Sequence, residues 1–409
     1  MFGHKTKRTP SPAPAGVDAA LLRSLAGIDA SRAEDLIATT RLVSQPPGPV
    51  EASADDKVAY LVSGSLRFVT HAGATSTLAA NQPTARFPLP GASRVARIEA
   101  TTPTLLVWLP RSALTDRTAV PPEMPALDAH ERKALDALHE HLQSPHFELP
   151  SLPDLAIRIG AAIDKANTTS EDIARLILLD PVLATRILSV VNSAAFGGVS
   201  QIANIQQATT RLGRSKVRSL VFSCLLKSIF RVPSGELQRR MEHIWQYSAQ
   251  VAALSYVLGK ATPGIDAERA LLAGLIHDIG AVSIVGALGR FPALTRRDPV
   301  FDYVLASLQV DSALRIATHW HLAPELVAVV REAHDWFRIG TALADDTDIV
   351  IIARLHAAFG TPSARELPSL EKLPAFGKLA NGDLTPQRSL VALERAAADV
   401  REVQTLIAA

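Results

Sequence analysis

The sequence predicts a multidomain α+β chain: a small N-terminal β-domain with flanking helices, followed by an all-α domain. Three observations carry this. Short apolar runs broken by turn residues crowd positions 57–110, a spacing typical of a compact β-module. Helical periodicity with capping signals then runs from about 146 to 358. Between them, Pro121, Pro122 and Pro125 mark a linker. With 47% apolar and 20% charged residues over 409 positions, the chain can bury more than one hydrophobic core.

Residues 1–16 carry Lys5, Lys7 and Arg8 and then the stretch Ser11-Pro12-Ala13-Pro14-Ala15-Gly16. No apolar segment follows the basic residues, so a disordered tail is expected rather than a secretion signal. The β-domain and its flanking helices are assigned to 17–120. Residues 17–44 read as helical, with Leu21, Leu22, Leu25 and Ile28 on one stripe and Ser31 opening a second short helix. Pro46-Pro47-Gly48-Pro49 stops that pattern.

Val58–Val62 and Leu66–Thr70 flank Ser63-Gly64 and are expected to form a hairpin; Val95–Ala100 and Leu105–Leu109 are further strands. A linker and connecting helix occupy 121–145, with the helix over 129–143. Within the helical domain, assigned to 146–358, Thr169-Ser170-Glu171-Asp172 and Asp180-Pro181 are capping signals. Leu212-Gly213 ends one helix and Ser215 opens the next. The C-terminal extension, 359–409, holds an amphipathic helix over about 386–407, with Leu390, Leu393, Val400, Val403 and Ile407 on one side.

Bulk properties exclude several function classes. A formal charge of +2 argues against a whole-chain nucleic-acid footprint. A local cluster of Arg211, Arg214, Lys216, Arg218, Lys227 and Arg231 is read first as a solvated face and second as a contact for an acidic protein partner. Aromatic residues are only 5% and are not interleaved with it, so it provides no stacking platform. The single cysteine, Cys224, precludes an internal disulfide and suits a reducing cytoplasm. No uninterrupted apolar run approaches the ~20 residues of a membrane span.

The most informative element is the apolar stretch Ala270–Val285, which contains the ionisable doublet His277-Asp278. Burying two such groups costs free energy unless they find partners. Either a metal or a set of hydrogen bonds must supply the compensation.

Several strings in the helical region support a family resemblance. They are Leu149-Pro150-Ser151-Leu152-Pro153, Asp180 to Leu188, Val191-Asn192-Ser193-Ala194-Ala195-Phe196-Gly197, Ile202 to Gly213, Trp245-Gln246-Tyr247-Ser248 and His277-Asp278-Ile279-Gly280. In that order they resemble the HDOD domain, an HD-related output domain of bacterial signalling proteins. The resemblance implies kinship with HD phosphohydrolases, which bind metal through an early His, the His-Asp doublet and a late Asp. Adjacent helical side chains diverge by about 100°, so a doublet alone cannot close a coordination sphere. This chain departs from the enzyme pattern at both remaining positions. Tyr247 stands where the early His would fall, and the late helix, Ile349 to His356, contains no Asp. Asp345, Asp346 and Asp348 precede it as capping residues. His319 and His321, two apart, cannot share one ion on a helix, which leaves His334 and His356 as candidates to rebuild a site.

Tyr60 to Val69 and Leu105 to Leu114 resemble strands of the cyclic-nucleotide-binding β-roll. Ligand binding in that family implies an acidic partner for the ribose, yet no acidic residue occurs from Lys57 to Ile98. Arg86 and Arg94 remain as phosphate contacts. The leading expectation is a non-enzymatic cytoplasmic signalling protein that needs no metal or other cofactor. Its degenerate HD site would comprise Tyr247, His277, Asp278, His334 and His356, and it would act through contacts with signalling proteins, with a homodimer left open. Nucleic acid, membrane and cyclic nucleotide are not expected partners. The alternatives are a metal-dependent phosphohydrolase acting on a nucleotide or cyclic dinucleotide, and a nucleotide-gated sensor using the β-roll.

Overall fold

A computed structural model of the chain describes residues 17–379 apart from 27–29, 38–39, 52, 55–56, 72, 93, 111–123, 152–153, 166, 193–201, 234 and 360–366, and beyond 379 only Val400 and Gln404. The expected disordered tail and almost all of the expected C-terminal amphipathic helix therefore lie outside the described residues. Backbone proximity divides the chain into two units, residues 1–118 with 340–343 and residues 119–339 with 344–409.

The first unit begins with α1 (Ala19–Ala26) and α2 (Ala30–Ile37), followed by β1 (Leu42–Gln45), β2 (Gly48–Pro49), β3 (Ser53–Ala54), β4 (Lys57–Ser63), β5 (Ser65–Val69), β6 (Thr75–Ala79), β7 (Arg97–Ala100) and β8 (Thr104–Pro110). Two four-stranded antiparallel sheets result, ordered β1-β8-β4-β3 and β2-β7-β5-β6. Val58, Tyr60, Val107 and Leu109 pack with Leu22, Ala33, Leu36 and Ile37 of the two helices. Ala59, Leu61 and Leu106 alternate with them and are buried as well. Both faces of β4 are thus covered, which explains its unbroken apolar run.

The hairpin expected across Gly64 does not form. β4 pairs with β8 and β3, whereas β5 pairs with β6 and β7. Gly64 (φ +89°) instead passes the chain from one sheet to the other, and a Cβ there would lie 2.5 Å from the Pro103 carbonyl. The true hairpin is β5–β6, turning through Gly73, whose N–H donates to the Thr70 carbonyl (2.9 Å). Residues 42–44, placed at the end of a helical stretch by periodicity, belong to β1, which pairs with β8.

The second unit is helical. It comprises α3 (Ala129–Gln143), α4 (Asp154–Asp164), α5 (Ser170–Ile177), α6 (Pro181–Val191), α7 (Ile205–Leu212), α8 (Arg214–Leu226), α9 (Gly235–Ala261), α10 (Ala267–Ile276), α11 (Ile279–Leu288), α12 (Asp298–His319), α13 (Pro324–Glu332), α14 (Asp346–Ala358) and α15 (Pro374–Lys378). The capping signals act as expected. Thr169 and Asp172 form a reciprocal box at α5, and Asp180 Oδ1 accepts from the N–H groups of Val182 and Leu183. Helix α8 opens at Arg214, one residue before Ser215, because Gly213 (φ +78°) lets the chain reverse there.

Among the described residues two apolar cores lie in this unit. The smaller joins α4–α8 and buries Cys224, whose thiol pKa burial pushes up to about 11. The larger joins α3 and α9–α15, with α14 buried along its whole length. Helices α10 and α11 together span Ala267–Leu288, 22 residues of hydropathy 1.9, long and apolar enough to cross a bilayer, yet 83% of the window is buried inside the protein. Glu268, Arg269 and the doublet interrupt the stretch, so it is not an unbroken apolar run.

Candidate functional site

The doublet sits at the break between α10 and α11 rather than inside one helix. His277 ends α10 in helical geometry, and Asp278 (φ −104°, ψ 19°) starts α11. An aspartate in that position would ordinarily accept from amide groups of the first turn. Here its side chain makes no such cap and turns toward other helices.

Glycines make the turn possible. A Cβ on Gly280 would stand 2.1 Å from the Gln309 carbonyl oxygen, so α11 lies directly against the α12 backbone. That contact brings Gln309, only 6% exposed, up to the doublet. Its Nε2 donates to Asp278 Oδ1 and lies 2.8 Å from His334 Nε2. His334 Nε2 is 3.0 Å from the same carboxylate oxygen, and His277 Nε2 is 3.2 Å from Oδ2. His277 Nδ1 donates to the Gly274 carbonyl at 2.7 Å, which fixes the ring; its Nε2 has no aligned hydrogen-bond partner. The two imidazoles stack, with centroids 6.0 Å apart and planes at 20°.

Burial alone would raise the Asp278 pKa, but the adjacent His277 and His334 hold it well below the ordinary carboxylate range. Burial lowers the His334 pKa; the Arg354 cation adds to the effect, and Asp278 opposes it. The site therefore has one ionised carboxylate wrapped by an amide and two rings.

The two positions that could complete a coordination sphere hold other chemistry. Tyr247 packs on His277 (centroids 5.7 Å), and its hydroxyl donates to the Arg354 carbonyl at 3.3 Å. Burial raises its phenol pKa, which keeps it protonated and a poor ligand. From α14 the site receives the charge of Arg354, whose guanidinium lies over Trp336 (4.7 Å) and donates to the Ala333 carbonyl. A fixed cation beside His334 opposes a divalent ion by like-charge repulsion. Among the described residues no group of three or more His, Cys, Asp and Glu is arranged to hold a metal ion. The donor set does not fit the metal that HD kinship implies.

His356 stays apart from this cluster. It lies two residues beyond Arg354, about 200° around α14, and packs edge-on to Phe359 (5.3 Å). Burial lowers its pKa from 6.5 to about 4. The unfolded chain then binds the proton more readily between those values. Stability is complete above pH 6.5 and is lost as the pH falls toward 4, by about 3 kcal/mol from this group. Urea unfolding across that range should show the slope in the wild type and a flatter profile in His356→Gln. An unchanged slope would place the responsible proton elsewhere.

In the first unit, Arg86 ends a short 3-10 turn (Pro83–Arg86) with its guanidinium 5.1 Å from the Phe87 ring centroid. Arg94 lies in the turn that follows Gly91, its N–H bonded to the Gly91 carbonyl (2.9 Å). The acid that follows the acid-free stretch, Glu99, pairs with Arg97 (3.0 Å) and Arg67 (3.8 Å) on the surface.

Sequence reasoning placed Tyr247, His277, Asp278, His334 and His356 in one set; the structure brings the first four together and leaves His356 against Phe359. It missed Gln309 and Arg354. A glutamine in the middle of an amphipathic helix looks solvent-facing, and no spacing rule links it to a doublet 31 residues earlier. Gly280 was the available signal, because glycine inside an apolar helix marks a close backbone approach.

Comparison with known proteins agrees with this architecture. The HDOD domain family model matches residues 149–336. An uncharacterized protein of Treponema pallidum (strain Nichols) is 25% identical over 202 residues, which cover 46% of this chain but only 38% of that protein. A crystal structure from Shewanella amazonensis SB2B, provisionally named a metal-dependent phosphohydrolase, superposes with a TM-score of 0.57 at 22% identity, covering 68% of this chain and all of that one. An HDOD domain protein of unknown function from Geobacter sulfurreducens gives 0.51 at 20% identity, over 66% of this chain and 96% of that one. These likenesses establish the fold.

Proposed function

Since residues 149–336 form an HDOD domain, we propose that this chain is a non-enzymatic signal-transduction protein whose helical domain is an output scaffold working through protein contacts. The observation that carries this reading is the enclosure of Asp278 by protein groups. Its Oδ1 accepts from Gln309 and lies 3.0 Å from His334 Nε2, its Oδ2 lies 3.2 Å from His277 Nε2, and the Arg354 cation acts on His334 beside it. A carboxylate so surrounded ties α12 and the chain after α13 to the α10–α11 junction, a structural task rather than the positioning of a nucleophile. Support for protein contact comes from Leu178, Leu179 and Val182, which are 58%, 59% and 63% exposed at the turn from α5 into α6. The acid-free stretch of the first unit supports its reading as a degenerate cyclic-nucleotide-binding-like module that serves as an adaptor.

Calorimetric titration with Mn2+ and Zn2+, together with turnover of bis(p-nitrophenyl) phosphate, tests the proposal. The expected result is no saturable metal binding at the doublet and no turnover. Asp278→Ala is expected to lower stability by about 2–4 kcal/mol, since it strands Gln309 and two imidazoles. Metal-dependent hydrolysis that disappears in Asp278→Ala would instead establish the phosphohydrolase alternative.

A further inference from the structure

A second concave site lies in the helical unit, formed by the end of α3, the segment that follows it, the chain after α8, and α11. Its volume is about 650 Å³. Val282, Ser283, Gly286 and Ala287 of α11 line it, so one side of that helix faces the cavity, and Arg290 lines it just beyond the helix end. Ser283 is 3% exposed, and its hydroxyl has no hydrogen-bond partner among the described residues. An orphaned buried hydroxyl costs about 1–3 kcal/mol unless something in the cavity satisfies it. Gly286 leaves the wall open, since a Cβ there would meet nothing within 4 Å.

The remaining walls have a definite chemistry. Two arginines, Arg290 and Arg231, line the cavity together with one acidic residue, the exposed Glu148. Arg290 Nη1 lies 3.4 Å from His141 Nε2. His141 meets Phe147 edge-to-face at 5.2 Å, giving the cavity an aromatic wall. The segment carrying Phe147 is anchored at both ends, by Arg315 of α12 donating to the Ser144 carbonyl and by Trp320, just after α12, donating to the Pro150 carbonyl. The site is therefore held in place before anything binds.

We infer that this cavity binds a small organic phosphate carrying a flat ring. Paired guanidiniums with a spare hydroxyl suit the several acceptor oxygens of a phosphoryl group, and the His141–Phe147 wall suits the ring. The site accounts for Arg231, the last residue of the basic cluster noted in the sequence, and it does not depend on the role assigned to the doublet.

Calorimetry on the full chain with phenyl phosphate, AMP, inorganic phosphate and phenol tests the assignment. Phenyl phosphate and AMP should bind saturably, with inorganic phosphate and phenol each at least about tenfold weaker. Gly286→Leu fills the cavity from a position with open space, and Arg231→Gln/Arg290→Gln removes the charge. Each should weaken phenyl phosphate and AMP about tenfold or more while leaving the thermal midpoint near the wild-type value. Arg211→Gln, on the same basic cluster but outside the cavity, should bind as the wild type does. Absence of saturable binding, binding untouched by Gly286→Leu, or inorganic phosphate binding as tightly as phenyl phosphate would each overturn the inference.

Discussion

Gly280→Ala is expected to destabilise the helical domain by about 3–5 kcal/mol, a large share of a typical domain's stability. The added methyl would lie 2.1 Å from the Gln309 carbonyl oxygen and 2.9 Å from the Ala313 amide nitrogen. Both are backbone atoms of α12, so no side chain can swing aside and the helices must separate. The separation would pull Gln309 from Asp278, and the carboxylate would lose its one amide donor. Packing strain and polar stranding therefore act together. Gly274→Ala should behave similarly, because its Cβ would stand 2.5 Å from the Ala252 Cα on α9. Gly286→Ala is the internal control. It meets open space and should stabilise by up to about 1 kcal/mol through helix propensity. Denaturant unfolding of the three variants measures the contrast, and a Gly280→Ala protein as stable as the wild type would refute the tight α11–α12 contact.

That contrast also marks how far the sequence could be read. Helical periodicity, the caps at Thr169 and Asp180 and the order of the HDOD strings identified the helical domain, because each is a local pattern. The degenerate site was half legible for the same reason: Tyr247 and the lack of an aspartate from Ile349 to His356 can be read off the chain without knowing how helices cross. Helix α14 nevertheless begins at Asp346 and so takes Asp346 and Asp348 into its first turn, where the sequence placed them before the helix. What replaced the missing ligands was not legible. Gln309 reaches Asp278 because two backbones touch at a glycine, and Arg354 reaches the His334 neighbourhood from a helix buried on every side. Such adjacency is a property of helix packing. The β-region failed in a similar way. Apolar runs on both sides of Gly64 matched a hairpin, yet burial on both faces of β4 required it to pair within a different sheet. The strand that completes the real hairpin, Thr75-Ser76-Thr77-Leu78-Ala79, has one well-buried leucine and so gave little apolar signal.

Asp348→Ala should be comparably damaging, by about 3–5 kcal/mol, and for an electrostatic reason. Asp348 is fully buried at the first turn of α14, where it holds the ammonium of Lys378 at 2.8 and 3.0 Å and Arg338 Nη1 at 3.0 Å. Lys378 is itself only 3% exposed. Arg338 also grips Asp345 with both terminal nitrogens (2.9 and 2.8 Å) and Glu332 through Nε (2.6 Å). Asp345 and Asp348 cap the helix reciprocally, so one carboxylate serves a cap, an arginine and a lysine at once. Burial lowers the Lys378 pKa, with Asp348 opposing that shift, so the ammonium depends on this carboxylate to remain charged. Deleting Asp348 removes the partner of a buried cation and half of the cap at the most buried helix of the domain. Asp348→Asn keeps an oxygen for the cap and should recover about 1 kcal/mol of the loss. Asp348→Leu combined with Lys378→Met removes both charges and should recover more, because neither ion is then left in an apolar core. Equal losses in the single and double variants would show that the cap, rather than the ion pair, carries the stability.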